Sequence, residues 1–188
     1  MRAMEIQGRH LNVVDVEATC WPDAAPPDMT SEIIEIGLTV VDVPARKRVA
    51  KHRILVRPER STVSMFCTEL TGLTQREVDT GVSFARACEI LRAEHRSGSR
   101  PWTSWGDYDR KQFLRQCADT EVAYPYGEGH VNAKAVFATA HNLRRCGMDQ
   151  ALRTAGLPLE GRHHSGADDA WNIAALVLGL MDAGQFEV

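Results

Sequence analysis

Apolar residues early in the chain either run together or alternate, and later recur at helical spacing. Leu11, Val13, Val14 and Val16 dominate His10 to Val16, the composition of a buried strand. From Glu32 to Val43, Ile34, Ile36, Leu38 and Val40 alternate with Glu35, Gly37 and Thr39, which predicts a strand with one buried face. A turn at Asp42 to Lys47 leads into a third strand, Val49 to Val56. Between the first two strands, Trp21 to Ser31 holds Pro22, Pro26 and Pro27 and is expected to be a surface loop.

From Phe84 the period changes. Phe84, Ala87, Cys88 and Leu91 fall at i, i+3, i+4 and i+7, one face of a helix that ends near Ser97-Gly98-Ser99. A short strand is predicted at Pro101 to Ser104, a helix at Tyr108 to Ala118, a turn around Tyr124 to Gly129, and helices at Ala133 to Ala140 and Met148 to Ala155. The last helix, Ala167 to Ala183, carries Ile173, Leu176, Val177 and Leu180 as its apolar stripe. Three early strands followed by helices and short strands predict a three-layer α/β/α domain with a mixed central sheet.

With 188 residues and 44% hydrophobic composition, one core is expected, and we place a single domain at residues 8–184. The N-terminal residues lack the layout of a secretory signal, and no run approaches the ~18 apolar residues of a membrane helix. Cys20, Cys67, Cys88, Cys117 and Cys146 are odd in number and scattered, which suggests neither a disulfide framework nor a zinc site. These features predict a cytoplasmic protein without a membrane partner. A net charge of −3 argues against gripping long duplexes through their phosphates. It leaves room for a carboxylate site that takes a short strand end.

Acidic residues change the picture further. Asp15 and Glu17 stand two apart at the end of the first strand, so their side chains share a face. Alone, that pair is also what a solvated strand end looks like. Downstream, Asp109 shares a helix face with Phe113 and Cys117, whereas Asp107 aligns with Arg110, Lys111 and Leu114 and suits a helix start. In the last helix Asp169 precedes Ile173 of the apolar stripe by four residues, while Asp168 precedes Asn172; Asp169 is therefore the inward acid. Carboxylates directed at an apolar interior call for a cation, and oxygen-only ligands favour Mg²⁺ or Mn²⁺. Two such ions are the machinery of phosphodiester cleavage. His164, five residues before Asp169 in a Gly-flanked loop, is the candidate general base, and His163 is expected at the surface.

These residues match known motifs. Asp15-Val16-Glu17, Tyr108-Asp109 and His164-Ser165-Gly166-Ala167-Asp168-Asp169 resemble the three motifs of the DEDDh exonucleases, in the same order. Val14 to Cys20 and Phe66 to Thr74 are similar to signatures of the histone-mRNA and small-RNA 3′-end exonuclease branch. The resemblance runs from about His10 to Ala183. It implies the ribonuclease-H-like exonuclease fold, two metal ions on Asp15, Glu17, Asp109 and Asp169, and water activation by His164. It also implies that Ala18, Thr19 and Leu70 hold the terminal nucleotide of a single-stranded RNA or DNA 3′ end, with a nucleoside 5′-monophosphate as product.

Trp105, Phe66 and Leu70, the last two in a Gly-containing loop, are candidates to stack on or wedge against bases without reading sequence. Trp105 and Phe66 suit a core equally well. Arg110, Lys111, Arg115, Arg144 and Arg145 either track phosphates or form a solvated face. A fold retained as a regulatory or binding module and a DNA proofreading-type exonuclease are the competing functions; the complete set of acids and the histidine speaks against the first.

Overall fold

The computed structural model describes residues 9–144 and 146–187. The expected domain start at residue 8, and Arg145, lie outside the described residues. Strand β1 (His10–Ala18) has apolar side chains on both faces and takes the middle of the sheet, with β2 (Ile33–Asp42) antiparallel on one side and β4 (Trp102–Ser104) parallel on the other. Beyond β2 lies β3 (Lys47–Leu55), antiparallel, and beyond β4 lies β5 (His130–Asn132), parallel. The order β3-β2-β1-β4-β5 is the mixed sheet expected.

Seven helices complete the chain among the described residues: α1 (Met65–Thr71), α2 (Gln75–Val78), α3 (Phe84–Glu94), α4 (Tyr108–Thr120), α5 (Ala133–Ala140), α6 (Met148–Ala155) and α7 (Gly166–Asp182). Leu11 and Val13 pack with Phe137 of α5, Leu152 of α6 and Ile173, Leu176, Val177 and Leu180 of α7. On the opposite face Val14, Val16, Ile36 and Leu38 meet Phe84 and Leu91 of α3 and Phe113 of α4. Period-two alternation on β1 thus supplies two cores, one per face, and makes three layers. No helix among the described residues is long and apolar enough to cross a membrane.

Two expectations need correction. β2 is not half-buried: Glu35, Gly37 and Thr39 are as enclosed as the apolar residues between them, because α7 lies across that face. The approach is close enough that a Cβ on Gly37 would stand 1.9 Å from the Gly166 carbonyl oxygen. Phe66 and Leu70 do not sit in a loop. They belong to α1, which begins where the Ser64 hydroxyl accepts the Cys67 N–H at 3.0 Å and ends at Gly72 with φ of 76°.

Candidate active site

Parallel pairing of β1 with β4 brings the ends of both strands to one edge of the sheet. β1 delivers Asp15 and Glu17 there, and the turn after β4 starts α4 beside them. Asp109, in the first turn of α4, is 3% exposed, and its Oδ1 accepts the Val16 N–H at 2.9 Å, which ties the helix to the strand between the two β1 acids. Asp107 does stand at the helix start, yet its side chain makes no capping hydrogen bond and lies 3.8 Å from the Arg110 guanidinium.

The first turn of α7 supplies the fourth acid. Asp169 is buried, and ligand oxygens of Asp15, Glu17 and Asp169 all lie within 4.8 Å of one another. Asp168 turns away to an ion pair with Lys51 of β3. Asn172, one turn further along the same side of α7, does not face solvent as expected from its alignment with Asp168. Asn172 is fully buried, where it accepts the Glu160 N–H and donates to the Glu160 and Asp168 carbonyls, each at 2.8–2.9 Å.

His163 also departs from expectation. Its Nδ1 lies 3.1 and 3.2 Å from the two Asp169 oxygens, and because a carboxylate only accepts, that nitrogen carries the proton. His164 contacts the same carboxylate through its backbone, donating its N–H at 3.0 Å, while its ring stacks on His163 with centroids 4.0 Å apart. The loop turns there through a left-handed His164, φ 62°. Burial, helped by His163 and Arg162, holds the His164 pKa below its usual value and keeps the imidazole neutral near pH 7.

The acids show the opposite shift. Burial, then Asp109, Glu17 and Asp169, drives Asp15 far above the usual carboxylate range. Burial, then Asp169, Glu35 and Asp109, pushes Glu17 to about 8. Asp109 is raised to about 6, chiefly by burial and against the hydrogen bonds that lower it, and Asp169 is raised by burial as well. Four carboxylates so placed must take up protons or share cations. Their all-oxygen donor set fits hard divalent ions, with Asp15, Glu17 and Asp169 as the converged group and Asp109 beside them.

A cavity of about 380 Å³ opens on this cluster. Among the residues expected to bind substrate, Ala18, Leu70 and Trp105 line it. Trp105 also donates from Nε1 to the Cys146 carbonyl at 3.2 Å and packs against Phe137, so it is partly a core residue. Thr19 is not brought there. It is fully buried, with its hydroxyl bonded to Ser61 and accepting the Glu32 N–H, both at 2.9 Å. Phe66 is exposed on α1 and does not line the cavity. Tyr108, Met148, Ile173 and Cys20, unremarked as substrate contacts from sequence, complete the walls. Of the basic residues, Arg115 is engaged by Asp119 and the Ser31 carbonyl, while Lys111 and Arg144 are exposed.

A mixed five-stranded sheet with buried carboxylates clustered at the end of its central strand defines a ribonuclease-H-like, metal-dependent nuclease. An exonuclease family profile of the ribonuclease T type matches residues 13–177. The 3′-5′ exonuclease Snipper of Drosophila melanogaster is 33% identical over 193 residues, covering 91% of this chain and 69% of Snipper. Human 3′-5′ exoribonuclease 1 is 26% identical over 186 residues, covering 93% of this chain and 53% of that protein. The crystal structure of the nuclease domain of 3′hExo, a DEDDh family member bound to rAMP, superposes with a TM-score of 0.82 at 26% identity, covering 94% of this chain and 93% of that one. The chain belongs to the ribonuclease T-type exonucleases of the DEDDh family, a family of 3′-to-5′ hydrolases.

Proposed function

We propose that this chain removes nucleotides one at a time from the 3′ ends of single-stranded RNA, releasing nucleoside 5′-monophosphates, with two Mg²⁺ or Mn²⁺ ions held by Asp15, Glu17, Asp109 and Asp169. The observation that carries the reading is the convergence of Asp15, Glu17 and Asp169 within 4.8 Å, at the mouth of a cavity that also holds His164. Bound ions supply Lewis-acid stabilisation of the charge on the attacking and departing oxygens. His164, kept neutral by burial, takes the proton of the attacking water. His163 and the His164 N–H fix Asp169 from the loop side, and the Val16 N–H fixes Asp109. Ala18 and Leu70 form walls for the terminal nucleotide, and Trp105 and Tyr108 offer aromatic surface to its base.

The choice of RNA over DNA rests on relatives named exoribonucleases and on the rAMP complex of 3′hExo. A solved 3′-exonuclease that recognises a histone mRNA stem-loop, 25% identical with a TM-score of 0.80, points the same way. The test is a time course on 5′-labelled single-stranded RNA and DNA of matched sequence, with Mg²⁺ or Mn²⁺, with EDTA, and with Asp15→Asn. The expected result is an RNA ladder shortening from the 3′ end, abolished by EDTA and reduced at least ~10²-fold by Asp15→Asn, the loss that even outer partners of a metal site can cause. Faster cleavage of DNA would move the substrate to the proofreading type, and no cleavage under any condition would leave a binding module.

A further inference from the structure

We propose that Glu35, a buried carboxylate outside the exonuclease motifs, is a positioning residue: it docks the first turn of α7 onto the sheet and so sets Asp169 against Asp15 and Glu17. The inference rests on the metal-binding reading above. Glu35 is 1% exposed and is the direct β2 partner of Glu17 in the antiparallel ladder. Directly paired residues project to the same face, so Glu35 stands beside the site without entering its converged group.

Its bonds run to α7 and β3. One oxygen, Oε1, accepts the Ala167 N–H at 3.1 Å and lies 3.3 Å from Arg53 Nε; the other accepts from Arg53 Nη2 at 3.4 Å. The first N–H groups of a helix have no partner within it and are normally met by a capping side chain. The N-cap of α7, Ser165, makes no such bond, and Glu35 supplies the acceptor from another element. Its negative charge also suits the positive end of a 17-residue helix. Gly37, two residues on, leaves room for the Gly166 backbone, so the helix start is pressed against β2 where Glu35 holds it. Asp169 lies two residues beyond Ala167. Losing the dock therefore displaces a metal ligand and the loop that bears His163 and His164.

Two substitutions separate docking from charge. Glu35→Gln keeps an acceptor of the same reach for Ala167 and removes the charge; Glu35→Asp keeps the charge on a shorter arm. The measurement is Mn²⁺ binding to the intact protein by calorimetry, without nucleic acid, at a temperature where circular dichroism shows each variant folded. Hydrogen exchange of the Ala167 amide and the rate on single-stranded RNA are read alongside. Docking predicts that Glu35→Asp weakens Mn²⁺ binding by ~10–100-fold, the range for outer partners of metal ligands. It should also speed Ala167 exchange and lower kcat with KM nearly unchanged, while Glu35→Gln stays within a few-fold of wild type in all three. Loss in Glu35→Gln with retention in Glu35→Asp would overturn docking in favour of a charge effect, and wild-type Mn²⁺ binding in both would overturn any role of Glu35. Failure of wild type to bind Mn²⁺ removes the metal reading and this inference with it, whereas tight Mn²⁺ binding without RNA cleavage removes only the RNA substrate.

Discussion

His164 joins two requirements, a neutral imidazole and a backbone turned left-handed so that its own N–H reaches Asp169. A non-glycine residue at φ near 60° costs ~1–2 kcal/mol, so the loop holds some strain where the proposed base sits. His164→Gly should therefore be more stable than His164→Ala by ~1 kcal/mol, seen as a higher Tm, because glycine takes that φ freely. Both should lose rate while retaining Mn²⁺ binding. In wild type the rate should fall as pH drops through the depressed His164 pKa, below 6.5, because protonation removes the base; the variants should lose that limb. An unchanged rate and pH profile in His164→Ala would assign the base elsewhere.

At the scale of elements, α7 decides the geometry, and two glycines, Gly37 of β2 facing its start and Gly179 within it, should respond in opposite ways. A Cβ on Gly37 would stand 1.9 Å from the Gly166 oxygen and 2.4 Å from the Ala167 nitrogen, both backbone atoms that cannot turn aside. Gly37→Ala should displace the helix start, costing at least ~1–3 kcal/mol as overpacking does, and should lower activity. Gly179 sits in the exposed interior of the same helix with open space around it, so Gly179→Ala should stabilise by ~0.5–1 kcal/mol with activity unchanged. Thermal melts with a parallel RNA assay check both, and an intact, active Gly37→Ala would contradict the close packing. Much of this frame was legible in the sequence. α5 and α6 span the expected residues because turn residues bound them, and the inward direction of Asp109 and Asp169 followed from helical register. What escaped has a physical reason. Period-two alternation reports polarity rather than exposure, so Glu35 read as a solvent position although α7 covers it; α1, at 7 residues, is too short to show a period, and only Ser64 and Gly72 marked its ends. The partners of His163 and Thr19 are tertiary, and no local pattern encodes them.

For the molecule as a whole, the carboxylate cluster sets stability against function. A carboxyl whose folded pKa is raised destabilises the fold in its ionised form. For Glu17 that penalty is complete above about 8 and vanishes as pH falls to the unfolded value near 4.5. Below pH 6.5 the depressed His164 begins to charge at a cost of its own, so the clean window lies between pH 8.5 and 7. Across it, the Tm of the EDTA-treated protein should rise as pH falls, by ~2–4 °C for the roughly 1 kcal/mol that Glu17 contributes. Divalent ions remove that slope, because they require the ionised ligands and displace their protons, so the Tm gain on adding Mn²⁺ should be larger at pH 8.5 than at 7. Asp15→Asn removes one of the crowded charges. Its metal-free form should melt above metal-free wild type at pH 8.5, and its gain from Mn²⁺ should largely disappear, in step with the loss of cleavage. Scanning fluorimetry of both proteins with and without Mn²⁺ gives all four numbers, and a metal-free Asp15→Asn that melts below wild type would mean that the acids are not held in mutual repulsion.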